Sequence, residues 1–400
     1  MRILMVNKFL YPRGGAETYF LKIGEYLCGN GHDVEYFGMY DEKNTVGNTL
    51  GEYTANMDFH QSGPGKLLYP FKIIYSFEAK KKISKVIDAY QPDIVHLNNI
   101  NFQLTPSIID AIDDAGIPVV QTVHDYQMLC PNHLFFDVLN LRECDLCLHG
   151  SKFNCVRTKC IHGSSVRGIV GAFEAVLYQK RNTYDKVALY ICPSRFLESK
   201  LLEIPLFKGK TKAIHNFIEL PDDSLSDAQK KDYILFFGRL SPEKGIGIFL
   251  ECCRMLPDVK FVIAGTGPQE DMCRGLSNVE YVGFQTGDAL HRLIAEARLS
   301  VLPAVWHENC PLAILESQSL GTPVIATNMG GIPELIEDGV TGIIIKKKTA
   351  EAFSDAISAL LSNDCRIGDM TSACFKKREG MISLPAYCAQ LEALYHTVLK

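Results

Sequence analysis

No stretch of this 400-residue chain approaches the ~18–20 consecutive apolar residues that cross a bilayer, and its start, Met1-Arg-Ile-Leu-Met-Val-Asn-Lys8, holds an apolar run too short for a signal-peptide core. The expectation is a cytoplasmic protein. Excess positive charge is missing too: 41 Lys plus Arg stand against 46 Asp plus Glu, a formal net charge of −5. Nucleic acid is therefore not expected as a partner, and any anionic ligand must be met locally. Repeats of fixed period and low-complexity segments are also absent. With 47% hydrophobic and 22% charged residues, the composition excludes disorder, collagen and coiled coil.

What is present is length enough for two or three domains, and an alternation of short β-branched runs with helix-period segments. That is the pattern of an α/β protein with parallel sheets. Residues 2–6, 34–37, 94–97, 118–123 and 189–192 are contiguous apolar runs, which predicts buried strands, each followed by a loop and a helix. The pattern restarts at 233–237 and continues through 260–263, 279–282, 299–302, 323–326 and 342–345. Two series imply two sheets and two Rossmann-like domains. Between them the polar, acidic stretch 215–224 reads as a hinge. The expected division is an N-terminal domain, 1–218, joined by the C-terminal helix 383–400, and a C-terminal domain, 219–382. The last helix has apolar spacing at Leu391, Leu394, Tyr395 and Val398 and is expected to start after Pro385.

Residues with chemistry to offer concentrate where loops follow strands. After 299–302 runs Trp306-His307-Glu308-Asn309-Cys310-Pro311-Leu312-Ala313-Ile314-Leu315-Glu316. Pro311 suits an early helical position with Asn309 near the cap, which would turn unpaired N–H groups around 310–313 toward the strand ends as an anion site. Glu308 precedes that helix, and Glu316 lies ~7–8 Å along its axis from Pro311 at 1.5 Å per residue. The two carboxylates should therefore meet different parts of one elongated, hydroxyl-rich ligand; two solvated glutamates are the alternative. Phe237-Gly238-Arg239-Leu240-Ser241-Pro242-Glu243-Lys244-Gly245 follows the first strand of the second series. Such a loop opens at the carboxyl edge of a parallel sheet, where ligands of these folds bind. Arg239 and Lys244 can neutralise a diphosphate there, with Gly238 and Gly245 permitting close approach; a plain surface pair is the alternative. Ala264-Gly265-Thr266-Gly267-Pro268 repeats the strand-then-glycine arrangement, but Glu270 stands where a dinucleotide fingerprint has its third glycine. That leaves a turn lining a nucleotide rather than an NAD site. Val282-Gly283-Phe284 ends the next strand and offers backbone groups to a base, or is an ordinary turn.

Taken in this order and spacing, the 237–245 run, the Gly-x-Gly-Pro turn, the Glu-x7-Glu pair and Gly321-Thr-Pro-Val-Ile-Ala-Thr327 resemble the family 4 retaining glycosyltransferases of the GT-B fold. The resemblance covers essentially all of the second half and, more loosely, the first. It implies two facing Rossmann-like domains with a cleft between them. A nucleotide-sugar donor would be held mainly by the second domain and a glycan or lipid-linked acceptor by the first. By the same resemblance Arg239 and Lys244 bind the diphosphate, Glu308 the donor sugar hydroxyls and Glu316 the ribose. With no D-x-D tripeptide in the chain, the diphosphate charge would be met by Arg239, Lys244 and the helix near Pro311 rather than by Mg²⁺, so no cofactor is expected for catalysis. In the first half, Arg13-Gly14-Gly15-Ala16-Glu17-Thr18 opens a helix with small residues that admit a phosphate or sugar, similar to the family's paired-glycine loop. His124, in Thr122-Val123-His124-Asp125-Tyr126, resembles the family's cleft histidine near the reacting carbon, and Ser194-Arg195 resemble a cleft-edge position. The family's common Pro-Asn-Gly at the hinge appears here only as His215-Asn216-Phe217, a departure at Asn216. The expected activity is a hexosyltransferase of surface polysaccharide biosynthesis. The alternatives are a nucleotide-sugar epimerase, which needs acid/base residues on both faces of the sugar that the sequence does not show, and a catalytically idle glycan-binding protein.

Two further features stand apart from these motifs. Five of the 14 cysteines crowd into an insert at about 130–162: Cys130, the C-x2-C pair Cys144 and Cys147, Cys155 and Cys160. The spacing suits tetrahedral thiolate zinc, and the polar segment lacks a regular apolar period. Structural zinc on four of the five is the expectation, with His133, His149 and His162 as spare ligands, and with free thiols or an iron–sulfur or redox role as alternatives. The other nine read as reduced packing residues. The stretch 66–87 sets Lys66, Lys72, Lys80, Lys81, Lys82 and Lys85 among Leu67, Leu68, Phe71, Ile74, Tyr75 and Phe77, with Glu78 as the one acid among them. It reads either as an amphipathic helix packed on the first sheet with solvated lysines, or as a peripheral contact with the cytoplasmic membrane face.

Overall fold

The computed structural model describes residues 1–56, 69–219, 225 and 228–400. They form two compact units, one of Met1–Asn216 with Leu384–Lys400 and one of Phe217–Ser383. In the first unit β1 (Arg2–Val6), β2 (Asp33–Phe37), β3 (Ile94–Leu97) and β4 (Val119–Thr122) are followed by an antiparallel hairpin, β5 (Phe136–Asp137) and β6 (Arg142–Glu143), and then by β7 (Leu189–Cys192) and β8 (Thr211–Ala213). All but the hairpin form one parallel sheet in the order β2-β1-β3-β4-β7-β8. Val6 lies beside both Phe37 and Leu97, so the carboxyl ends of β1, β2 and β3 finish level. The contiguous apolar runs make strands because both faces of the sheet are covered, here by α1 (Gly15–Gly29), α3 (Phe77–Tyr90), α4 (Ser107–Asp114), α6 (Ser165–Lys180) and α7 (Arg195–Leu202), with α2 (Tyr69–Ile74) and α5 (Asn154–Thr158) packed against α6.

α3 starts where the Ser76 hydroxyl accepts the Ala79 N–H and stops at Gln91 in the left-handed region. It buries Ala79, Ile83, Val86, Ile87 and Tyr90. Three of its four lysines are engaged by neighbours: Lys80 with Asp114 (2.9 Å), Lys82 with Glu78 (3.2 Å) and Lys85 with Glu52 (2.5 Å). In its described part the 66–87 stretch holds a helix packed on the core of the first unit; residues 66–68 lie outside the described residues. The C-terminal helix, Leu384–Val398, starts before Pro385 rather than after it. In the first turn the proline's missing N–H breaks no helical bond. This helix buries Tyr387, Cys388, Leu391 and Tyr395 in the first unit. The Tyr395 hydroxyl bonds His96 Nδ1 at 2.6 Å, and burial pushes that imidazole down to about 3, so it stays neutral.

The second unit contains β9 (Lys231–Phe237), β10 (Phe261–Ala264), β11 (Val279–Gly283), β12 (Ala297–Leu302), β13 (Val324–Thr327) and β14 (Gly342–Ile345), all parallel, in the order β11-β10-β9-β12-β13-β14. Its helices are α8 (Ile246–Met255), α9 (Gly287–Glu296), α10 (Leu312–Ser319), α11 (Ile332–Leu335), α12 (Ala350–Leu361) and α13 (Asp364–Arg378). Phe236, Phe249, Phe261 and Phe353 fill its largest core, between the sheet and α8 and α12. Among the described residues no helix is long and apolar enough to cross a membrane.

Candidate active site

The second sheet begins in its middle at β9, steps out to β10 and β11, and returns to β12 on the other side of β9. Strand order therefore reverses between β9 and β12, and at such a switch point the loops leaving the two strands part to form a crevice. Here those loops are 238–245 and 303–311. They are held at backbone distance. The Val305 N–H donates to the Glu243 carbonyl at 3.0 Å, and Gly245, at φ +77, sits where a Cβ would overlap the Pro303 carbonyl. Gly265, at φ +143, is packed the same way on the Gly238 carbonyl, and Gly267 on that of Leu240. The glycine turn after β10 thus seats the Arg239 loop.

This backbone packing delivers one cluster. Lys244 Nζ and Trp306 Nε1 each donate to Glu308 Oε1 at 2.6 Å. Glu308 is only 5% exposed, and two donors on one oxygen, one of them charged, offset the cost of burying a carboxylate. The Lys244 ammonium also lies 5.7 Å from the centre of the Trp306 ring, within cation–π range. From behind, the Gly331 N–H donates to the Glu308 carbonyl at 2.7 Å, and Gly330, at φ +61, leaves room for it where a Cβ would collide. Gly330→Ala is therefore expected to cost about 1–3 kcal/mol or more in backbone strain and to lower turnover. Gly247→Ala, with open space around it, should do neither. Thermal melts and initial rates of the two variants check this.

α10 begins at Leu312, with Pro311 as its N-cap at ψ 116 and no side-chain cap. The expected start, with Pro311 inside the helix and Asn309 at its cap, is corrected by two residues. A proline pushes the residue before it, Cys310, out of the helical region, and a proline cap has no side-chain acceptor for the first N–H groups, which remain an anion-seeking end. Glu316 lies half-buried just over one turn along α10, and Phe284 is exposed just beyond β11.

At the carboxyl edge of the first sheet, Gly14 caps α1 in an extended conformation and Gly15 is its first helical residue. His124 follows β4. Its Nε2 bonds Asn98 Oδ1 at 2.9 Å, and its ring stands edge-on to Tyr19. Burial, with the charge of Lys8 against it and that of Asp125 for it, pushes the His124 pKa down to about 4. The ring is neutral near pH 7 and, with an amide oxygen as partner, carries its proton on Nε2. Next to it runs a buried polar chain: Lys8 Nζ donates to Asn101 Oδ1, Asn101 Nδ2 donates to Asp125 Oδ2, and His133 Nδ1 lies 3.9 Å from Asp125. Ser194 is fully buried, and its hydroxyl accepts the Leu197 N–H at 3.1 Å as the cap of α7.

The family model described as Glycosyltransferase Family 4 matches residues 13–221, and that described as Glycosyl transferases group 1 matches residues 219–379. The chain belongs to glycosyltransferase family 4. An uncharacterized glycosyltransferase of Methanocaldococcus jannaschii is 25% identical over 398 residues, covering 91% of this chain and 90% of that one. The amylovoran biosynthesis glycosyltransferase AmsK of Erwinia amylovora is 28% identical over 162 residues, 36% of this chain and 40% of that one. Among solved structures, Anabaena HepE in complex with UDP is 18% identical with a TM-score of 0.69, and with UDP-glucose 0.67, each covering 99% of this chain and 100% of that one. The shared fold is GT-B.

In this glycosyltransferase the geometry brings together Lys244 and Glu308, as well as a residue that sequence reasoning missed. Trp306, the chain's single tryptophan, stands two positions before Glu308, so in an extended loop the two side chains point the same way. The Gly330-Gly331 pair ahead of α11 was also legible as a close-approach signal. Asn98, Lys8 and Asn101 carried no motif at all.

Structural zinc on four of Cys130, Cys144, Cys147, Cys155 and Cys160 stays an expectation. Among the described residues no group of three or more His, Cys, Asp or Glu side chains is placed to hold a metal ion, yet the thiols lie near one another: Cys155 bonds Cys147 and pulls its thiol below the usual value, with Cys130 and Cys160 within electrostatic reach. Cys147, Cys155 and Cys160 pack with Ala172 as a small apolar core. Cys155 Sγ points its proton at the Lys152 and Gly168 carbonyls (3.0 and 3.3 Å), and Cys130 Sγ at Asn132 Oδ1 (2.9 Å). Burial pushes the Cys130 thiol up to about 12. The insert is ordered by buried Phe135, Phe136 and Leu148 and by Lys152, whose ammonium ties the Leu129 and Cys147 carbonyls at 3.1 and 2.7 Å.

Proposed function

We propose that this glycosyltransferase works in the cytoplasm and moves a hexose from a nucleoside diphosphate sugar to a glycan or lipid-linked saccharide, with retention at the anomeric carbon, in building a surface polysaccharide. The observation that carries the reading is the Lys244–Glu308–Trp306 cluster at the β9/β12 switch point. A cation in contact with a buried carboxylate, beside the uncapped start of α10, makes an anion site that adjoins a hydroxyl site. The complexes of HepE with UDP and UDP-glucose and the amylovoran relative support the donor and the pathway class. Arg239, Lys244 and the first N–H groups of α10 would meet the diphosphate, Glu308 the sugar hydroxyls, Glu316 the ribose, and Gly283 with Phe284 the base. In the first unit, the Gly14-Gly15 start of α1 and neutral His124 would act toward the sugar. Retention follows when the departing phosphate oxygen takes the acceptor proton on the face it leaves. The protein then contributes positioning and stabilisation of leaving-group charge.

Arg239→Ala is expected to weaken binding of the free nucleoside diphosphate by about one to two powers of ten, the loss of one charge-assisted bond of ~1.5–3 kcal/mol. Calorimetry showing an unchanged Kd removes Arg239 from the site. The reading as a whole is tested by incubating the protein with UDP-, GDP- and ADP-sugars and following products by mass spectrometry. Slow release of free nucleoside diphosphate is expected. A converted sugar still attached to its nucleotide would make the protein an epimerase, and glycan binding without donor turnover would make it an idle member of the family.

A further inference from the structure

The first half of α6 wears its large apolar residues outward. Its inward positions there are Gly168, Gly171 and Ala172, whereas the second half buries Glu174 and Tyr178. A Cβ at Gly168 would come within 2.9 Å of Val156 Cα and one at Gly171 within 2.7 Å of Ile161 Cδ1, so small residues let α5 and the turn after it lie flat on the helix. At about 100° per residue, Val166, Ile169 and Phe173 fall within roughly 60° of one another on the other side. They are 69%, 41% and 52% exposed. Phe153, before α5, stands edge-on to Phe173 at 5.6 Å and is 42% exposed. Leu139, in the hairpin turn, lies 3.5 Å from the Cβ position of Gly163, just ahead of α6, and it too is exposed. A helix that only packs on its own domain hides its large apolar residues and shows small or polar ones. Over the first half of α6 the order is reversed, and contiguous exposed apolar surface of this kind marks a contact site. The surrounding charge is basic: over 139–180 the exposed cations are Arg142, Arg157, Lys159, Arg167 and Lys180, and the exposed acids are Glu143 and Asp145.

We propose that this face docks on the surface of an anionic phospholipid bilayer, with Phe153, Ile169 and Phe173 entering the headgroup–acyl boundary and the cations lying over lipid phosphates. Charge complementarity selects this occupant. A second copy would set the basic surround against itself, whereas an anionic bilayer neutralises it. The inference stands apart from the donor reading, and its test uses no nucleotide.

Full-length protein is sedimented with phosphatidylglycerol/phosphatidylcholine vesicles and with phosphatidylcholine alone. Wild type should pellet with the anionic vesicles at low ionic strength, be released by salt, and stay in solution with phosphatidylcholine. Val166→Ser/Ile169→Ser/Phe173→Ser should lower the bound-to-free ratio about tenfold or more. Arg167→Glu/Lys180→Glu, which leaves the apolar face intact, should lower it by a similar factor, each near-surface cation being worth roughly fivefold. The proposal is overturned by wild type that stays in the supernatant with anionic vesicles, or by binding that neither variant weakens. It also fails if Lys80→Glu/Lys81→Glu/Lys82→Glu alone abolishes binding, which would move the contact to α3. Light scattering that shows a dimer split by the serine variant, without vesicle binding, would assign the face to a second copy instead.

Discussion

Glu308→Ala should cut kcat by about two to three powers of ten, the usual cost of removing one preorganised electrostatic partner of the reacting group, while free nucleoside diphosphate binds at least as tightly as to wild type. The asymmetry follows from the geometry. Without ligand, Lys244 is committed to Glu308 Oε1 at 2.6 Å, and deleting the carboxylate releases the ammonium for phosphate. Lys244→Ala has the opposite character, because it strips the cation from a carboxylate that is nearly inaccessible to water. An uncompensated buried charge costs about 3–5 kcal/mol, so Lys244→Ala should weaken nucleotide binding by about one to two powers of ten and lower stability as well. The two changes should be strongly non-additive, since the groups share one contact. Calorimetry with UDP, GDP and ADP, paired with single-turnover donor consumption, separates the effects. Nucleotide affinity falling as far in Glu308→Ala as in Lys244→Ala would sink this division of labour.

Why Lys244 and Glu308 were legible in the sequence while Trp306 was not follows from where each constraint is written. Arg239, Lys244 and Glu308 sit in loops directly after contiguous apolar runs, and a parallel sheet places such loops at its ligand edge whatever the strand order. The only local trace of Trp306 is its i, i+2 spacing to Glu308; its place beside Lys244 depends on β12 lying next to β9, a pairing between segments about sixty-five residues apart, which no local pattern encodes. The strands of both sheets were readable for the same local reason, to within a residue or two, except β8, whose three residues hold no apolar run. The hairpin β5–β6 was not, since two-residue strands have no period. For the cysteines, spacing alone does not distinguish thiolate ligands from thiols that fill a small core beside Ala172. Ser194 reads two ways, because a strand-end serine that could face a ligand is also an ideal N-cap.

Glu174→Gln should make the protein markedly more stable in mildly alkaline solution and leave it unchanged in acid. Glu174, on α6, is buried, and its Oε1 accepts from Gln127 Nε2 at 3.2 Å. Burial, reinforced by the Asp125 carboxylate and opposed by the Gln127 bond, pushes its pKa from 4.5 up to about 8. The other ionisable groups near it, Tyr178 and Tyr184, are themselves pushed upward by burial and stay neutral. In the unfolded chain Glu174 titrates as an ordinary glutamate. Between the two pKa values the folded state therefore holds a proton that the unfolded state has released. Stability then falls as pH rises through this window, by about 1.4 kcal/mol per pH unit for this one group, and is flat with respect to it on either side. Across the window this amounts to several kcal/mol, a sizeable part of a typical folding free energy. Glutamine keeps the shape and the hydrogen bond to Gln127 with no proton to lose. Urea unfolding of the two proteins over a pH series should give coincident midpoints near the unfolded pKa and curves that diverge upward for the variant until about pH 8. Parallel curves throughout would mean that Glu174 is ionised in the folded protein, with its charge met by a partner other than Gln127.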